Sequence, residues 1–196
     1  MTGVSPRKLW VGATEAERDI ASAEMHQEQR ALVADLQTVG IHVKSVWDLV
    51  NWRGAPYPEA VPVLLNHLPL LYSDRLGEGI ARAIACPYAR SLAFEPVLQL
   101  YKDSADYDGS GFKDALAVAL RCMARPHDLD VLIDLLNNYE NGPSRIFFLR
   151  NLARSKKPHA LEAIVRLKDD PDLTREVQHI LKQKLKYKGK RLVEKH

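Results

Sequence analysis

The segment PEAVPVLLNHL, residues 58–68, places Val61, Leu64, Leu65 and Leu68 at offsets of 0, 3, 4 and 7, the spacing of one helical face. Proline near its start and Glu59 in the first turn mark the amino-terminal end of a helix. The same unit returns down the chain. FEPVLQLYK at 94–102 repeats the Pro-Val-Leu of 62–64 at a shift of 34, LDVLIDLLN at 129–137 follows at a further 35, and LEAIVRLKD at 161–169 at a further 32. Each of these A segments precedes a second helical B segment, at 74–86, 111–125, 143–154 and 172–186. Turns fall between them at Pro87, the DYDGSG loop, Pro126, the ENGP turn at 140–143, Pro158 and Pro171. Sustained period-two alternation and Asn-Gly hairpin turns are missing, so the expected class is all-α. A helical hairpin of this size cannot bury its apolar face alone, and stacked neighbours must supply the other wall of the core.

The early proline with Val-Leu pairs in the A segments, and Arg before an Ile/Met/Leu-Ala pair in the B segments, resemble HEAT repeats. VWDLVN, YPEAVPVLLNHL and EGIARAIA together are similar to small bacterial HEAT-repeat proteins, a resemblance that brings no activity with it. The W-x₂-L-G-x₂-Y signature of tetratricopeptide repeats, which share this period, is missing. The resemblance covers about two thirds of the chain. It implies an α-solenoid of about four HEAT-like hairpins over residues 58–186, with a basic tail at 187–196. Residues 1–57 fit the repeat poorly and are expected to form an N-terminal helical cap over the open end of the core. One long helix is expected at 14–39, opened by a Thr14-Glu-Ala-Glu17 capping box and closed by Gly40, then a short helix at 41–52. A partner-binding arm is the rival role for this portion.

Hydrophobic residues at 46% and charged residues at 27% describe an ordinary folded protein. No apolar run approaches the roughly 20 residues needed to span a bilayer, so no membrane partner is expected. The first residues, MTGVSPRKLWVGATEAERD, lack the apolar core of a secretory signal, which points to the cytoplasm. The net charge of +3 conceals a split: residues 182–196 hold seven Lys/Arg against one Glu, leaving 21 basic and 24 acidic groups in the rest. Cys86 and Cys122 lack metal-ligand spacing and read as small buried hydrophobes.

The B segments carry Arg82, Arg121 and Arg150, with Lys182 as an approximate fourth member. By resemblance, B helices line the concave surface of a HEAT stack, which implies a ladder of cations on that face. Guanidinium groups offer five donors in a planar fork and can clamp carboxylates or phosphates. A structural role competes with this one. Glu78 lies four residues before Arg82 and Asp114 seven before Arg121, and HEAT repeats, by resemblance, tie units together through Asp–Arg pairs. Under the structural role Arg121→Ala unfolds the protein; under the contact role it folds and no longer binds.

Other chemistry finds little footing. The seven histidines, at 26, 42, 67, 127, 159, 179 and 196, form no H-E-x-x-H motif, and no metal or cofactor is expected. No His-Glu dipeptide occurs of the kind HEAT-like di-iron enzymes use. DSADYDGSG is similar to a calcium loop through Asp106, Asp108 and Gly109, but counted from Ser104 as position one its twelfth position is Ala115, where a glutamate is needed. HEAT-like DNA glycosylases are the enzymatic rival; Trp47, Trp52 and Tyr57, with Asp48 beside them, are the candidate aromatic contacts. Lysines at 182, 184, 186, 188 and 190 alternate and spread around a helix, as in a solvated terminus. The expected function is a non-enzymatic interaction module that binds a protein partner, in one version a regulatory or toxin-neutralising partner. Nucleic-acid binding, through groove arginines or the basic tail, is the alternative.

Overall fold

The structure, a computed structural model, describes residues 14–70, 72–104 and 111–193. Among these there is no β-strand: eleven α-helices and three 3₁₀ turns account for the regular structure. The chain forms two compact units, Met1–Met123 and Ala124–His196.

In the first unit the helices are α1 (Glu15–Glu28), α2 (Arg30–Thr38), α3 (Val46–Val50), α4 (Ala60–His67), α5 (Asp74–Ile84), α6 (Arg90–Asp103) and α7 (Phe112–Met123). The apolar spacing of 58–68 becomes the inner face of α4, where Val61, Leu64 and Leu68 are buried and Leu65 is half-buried. Each fully buried aliphatic side chain of this kind contributes about 1.5–3 kcal/mol. Packing runs between next-but-one neighbours: α2 on α4 and α4 on α6, then α3 on α5 and α5 on α7. The hairpin partners α4–α5 and α6–α7 close against each other. His67 ties α4 to α2, with Nε2 2.8 Å from Asp35 and Nδ1 2.6 Å from the Tyr72 hydroxyl.

Three boundaries in this unit depart most from the sequence expectation. The helix expected over 14–39 is interrupted at Gln29, whose buried side chain accepts from Ser45 Oγ and Val46 N, both at 3.1 Å. The segment expected over 41–52 is helical only from Val46, because Ser45 caps it: Ser45 Oγ accepts from Trp47 N at 3.3 Å and Asp48 Oδ2 accepts from Ser45 N at 3.1 Å. α6 starts at Arg90, ahead of the expected 94, after a 3₁₀ turn opened by Pro87. Arg90 stabilises that first turn by lying 4.3 Å over the Phe94 ring and donating to the Met123 carbonyl at 3.2 Å. Pro96 therefore falls inside α6, on the exposed side with Leu92, where water can satisfy the carbonyl it leaves unpaired. The capping-box reading of Glu17 and the DYDGSG loop up to Ser110 lie outside the described side chains.

α3 and α5 meet at Gly79, where a Cβ would stand 2.6 Å from Val46 Cγ1 and 3.3 Å from the Trp47 ring. Only glycine permits this approach without a shift of α3.

The second unit holds α8 (Leu129–Asn137), α9 (Ile146–Arg154), α10 (Pro158–Arg166) and α11 (Thr174–Val193). Pro126 opens the 3₁₀ turn before α8 and Pro158 is the first residue of α10, positions that need no backbone donor. α9 packs on α8, α10 and α11, and α10 packs on α8 and α11. α11 continues past the expected end at 186, and the side chains from 186 onward lie outside those described. The turn at ENGP is made by Gly142 at φ +55°, and it aims Arg145 inward. Arg145 is fully buried. Its Nη1 donates to Asp170 Oδ2 at 2.7 Å, its Nη2 to Asp170 Oδ1 at 3.1 Å and Asp172 Oδ2 at 2.8 Å, and its Nε to the Gly142 carbonyl at 2.9 Å. Burial alone lowers the pKa of this guanidinium, but the hydrogen bonds to Asp170 and Asp172 outweigh it and hold the value above that of ordinary arginine.

Candidate functional site

Arg82 sits near the carboxyl-terminal end of α5. Ser73 caps that helix through its hydroxyl, and Leu76, Ile80, Ala83 and Ile84 bury its other face. This leaves Arg75, Glu78 and Arg82 along the less buried side. Arg82 Nε and Nη2 both lie 2.8 Å from Glu78 Oε1. An i,i+4 pair with the acid placed amino-terminal contributes about 0.3–0.5 kcal/mol. It also fixes the direction of the guanidinium.

Arg82 lines a cleft of about 270 Å³ together with Trp52, Tyr57, Cys86 and Tyr88. The aromatic rings form an edge-to-face chain: Trp52 to Tyr57 at 6.3 Å and 89°, Tyr57 to Tyr88 at 5.8 Å and 88°. Each polar end is used. Tyr57 Oη donates to the Ala83 carbonyl at 2.9 Å, Trp52 Nε1 donates to the Ala55 carbonyl at 2.8 Å, and Tyr88 Oη accepts from Tyr57 N at 3.3 Å. Burial, reinforced by Tyr88, pushes the Tyr57 phenol well above its ordinary range. Burial likewise pushes the Cys86 thiol up, which leaves less thiolate for nucleophilic chemistry. Cys86 and Cys122 are half-buried rather than buried: Cys86 lies just past the end of α5 at this cleft, and Cys122 lies on the less covered side of α7.

Three of the residues singled out from the sequence, Trp52, Tyr57 and Arg82, are thus brought together. Trp47 stands apart, under the Arg75 guanidinium at 5.1 Å and against Gly79. Asp48 is occupied with capping α3. Arg121 is half-buried on α7, with Nη2 4.0 Å from Cys122 Sγ. In the second unit Arg150 and Lys182 are exposed on α9 and α11, with no ion pair among the described residues. Tyr88 was not legible beforehand, because a tyrosine after Pro87 in a turn carries no periodic signal. Among the described residues no group of three or more His, Cys, Asp or Glu is placed to hold a metal ion. No helix among them is long and apolar enough to cross a membrane.

Compared with protein-family models, with curated proteins and with solved structures, the chain gives no match.

Proposed function

We propose that the protein is a non-enzymatic, HEAT-like α-solenoid scaffold that binds another protein through its B helices, α5, α7, α9 and α11. The observation that carries this reading is the packing within each unit, where helices rest on their next-but-one neighbours; residues of α9 and α11 stay exposed, whereas α7 keeps only half-buried and buried positions. Arg150 and Lys182, exposed, and Arg82 and Arg121, half-buried, supply charged anchors, and Trp52 adds aromatic area beside Arg82, whereas Tyr57 is buried. One version of this reading is a cytoplasmic, bacterial regulatory or toxin-neutralising partner.

The test uses the full chain as bait, wild type beside Arg82→Glu/Arg150→Glu, with far-UV circular dichroism confirming equal helix content. A stoichiometric protein captured by the wild type and lost by the variant is the expected result. Salt-sensitive binding to random duplex DNA that survives deletion of residues 187–196 refutes it in favour of a nucleic-acid groove, the glycosylase-like reading included.

A further inference from the structure

The second unit contains a cleft of about 520 Å³ between the start of α8 and the end of α9. Its floor is aliphatic, made by Pro126, Leu129 and Leu132. All the ionisable side chains that line it are cations: Arg125, Arg154, Lys156 and Lys157. None of the four forms an ion pair with another described residue. Two carboxylates lie nearby without lining the cleft: Asp128 is buried and accepts from the Arg125 backbone amide at 2.6 Å, and Asp130 lies 3.1 Å from His159. Lys156 and Lys157 also precede the amide end of α10, which adds positive potential from the helix itself. Arg154 is one turn beyond Arg150 on the exposed stripe of α9, so the cleft adjoins that stripe within the second unit.

We propose that this cleft receives an acidic peptide segment of a partner protein, seating one aliphatic side chain on Pro126, Leu129 and Leu132 while flanking carboxylates pair with Arg125, Arg154, Lys156 and Lys157. The inference rests on the protein-binding reading and names the chemistry of the partner. Four like charges around one small volume repel each other, and an anionic ligand removes that repulsion while gaining four attractions. The floor decides between acidic ligands. Single-stranded nucleic acid binds on aromatic platforms that stack its bases, and no aromatic residue lines this cleft. An aliphatic floor ringed by cations matches a leucine or isoleucine set among Asp and Glu.

The test pans a phage-displayed library of random peptides on the full chain and measures the selected peptides by fluorescence anisotropy. The expected pool has Asp or Glu on both sides of an aliphatic residue. Its affinity falls roughly tenfold or more in Arg154→Glu/Lys157→Glu and is unchanged in Arg166→Glu, an exposed cation on α10 outside the cleft. If the double reversal loses helix content, Arg154→Gln/Lys157→Gln replaces it, with a roughly threefold loss expected. A pool without acidic and aliphatic bias, equal affinity for the cleft variant, or duplex DNA that outcompetes the peptides with the same variant sensitivity each overturns the proposal. Binding abolished by Arg82→Glu but untouched by Arg154→Glu removes this cleft and leaves the scaffold reading standing. Absence of any peptide or protein ligand removes both.

Discussion

Replacing Arg145 by methionine keeps much of the side-chain volume and deletes the charge. Asp170, only 4% exposed, then loses both guanidinium bonds and keeps only the Asp172 amide at 3.0 Å as a donor to its carboxylate. The Gly142 carbonyl loses its 2.9 Å donor at the same time. Breaking a buried pair from one side costs about 3–5 kcal/mol, because the surviving charge stays desolvated and unpaired. Set against a total stability of about 5–15 kcal/mol, that loss is large. Hydrogen exchange followed by mass spectrometry reads it locally: amides of α9 and of the start of α11 should lose protection by about two to four powers of ten. The double variant Arg145→Met/Asp170→Leu leaves no buried lone carboxylate at position 170 and should recover at least about 1 kcal/mol relative to the summed single losses. Protection in Arg145→Met within about tenfold of wild type, or strictly additive losses in the double variant, would refute the account of the pair as a desolvated, mutually dependent node.

Gly79→Ala gains about 0.8–1 kcal/mol of helix propensity but drives a methyl to 2.6 Å from Val46 Cγ1, an overpacking cost of about 1–3 kcal/mol. Thermal melts should therefore show a net loss, whereas Gly77→Ala, whose methyl meets only the half-exposed Phe112 ring at 3.1 Å, should melt no lower than wild type. Equal melts for the two variants contradict the close α3–α5 approach. The Tyr57 phenol is raised from 10.0, so the folded state holds its proton more tightly than the unfolded state does. Its contribution is complete below the unfolded value and is lost as pH climbs beyond it. Urea titrations between pH ~9 and ~11 should show falling stability with a shallower slope in Tyr57→Phe, and identical slopes would count against the buried phenol.

The helices were legible because their evidence is local. Val61, Leu64 and Leu68 recur on one face whatever they pack against, and Pro87, Pro126 and Pro158 mark helix starts by their fixed φ and missing donor. The Glu78–Arg82 pair was within reach for the same reason, one turn apart on one helix. Where a distant side chain intruded, the local reading slipped. Gln29 interrupts the first long helix because its amide oxygen is claimed by Ser45 and Val46, a distance of 16 and 17 residues along the chain.

From the sequence alone came the all-α class, the order of the turns, and the list of cations that stand on the B segments. The tertiary structure alone decided which charges are spent inside and which remain outside. Arg145, unremarkable in its turn, is buried against Asp170, while Arg150, the conspicuous member of the repeated motif, is exposed. The gathering of Trp52, Tyr57 and Tyr88 beside Arg82, and of Arg125 with Arg154, Lys156 and Lys157, was likewise invisible in the linear order. The physical reason is range. Periodicity reports the face a residue takes on its own helix, but the desolvation and pairing of a charge depend on which other helix arrives opposite it, and that is set by packing across tens of residues.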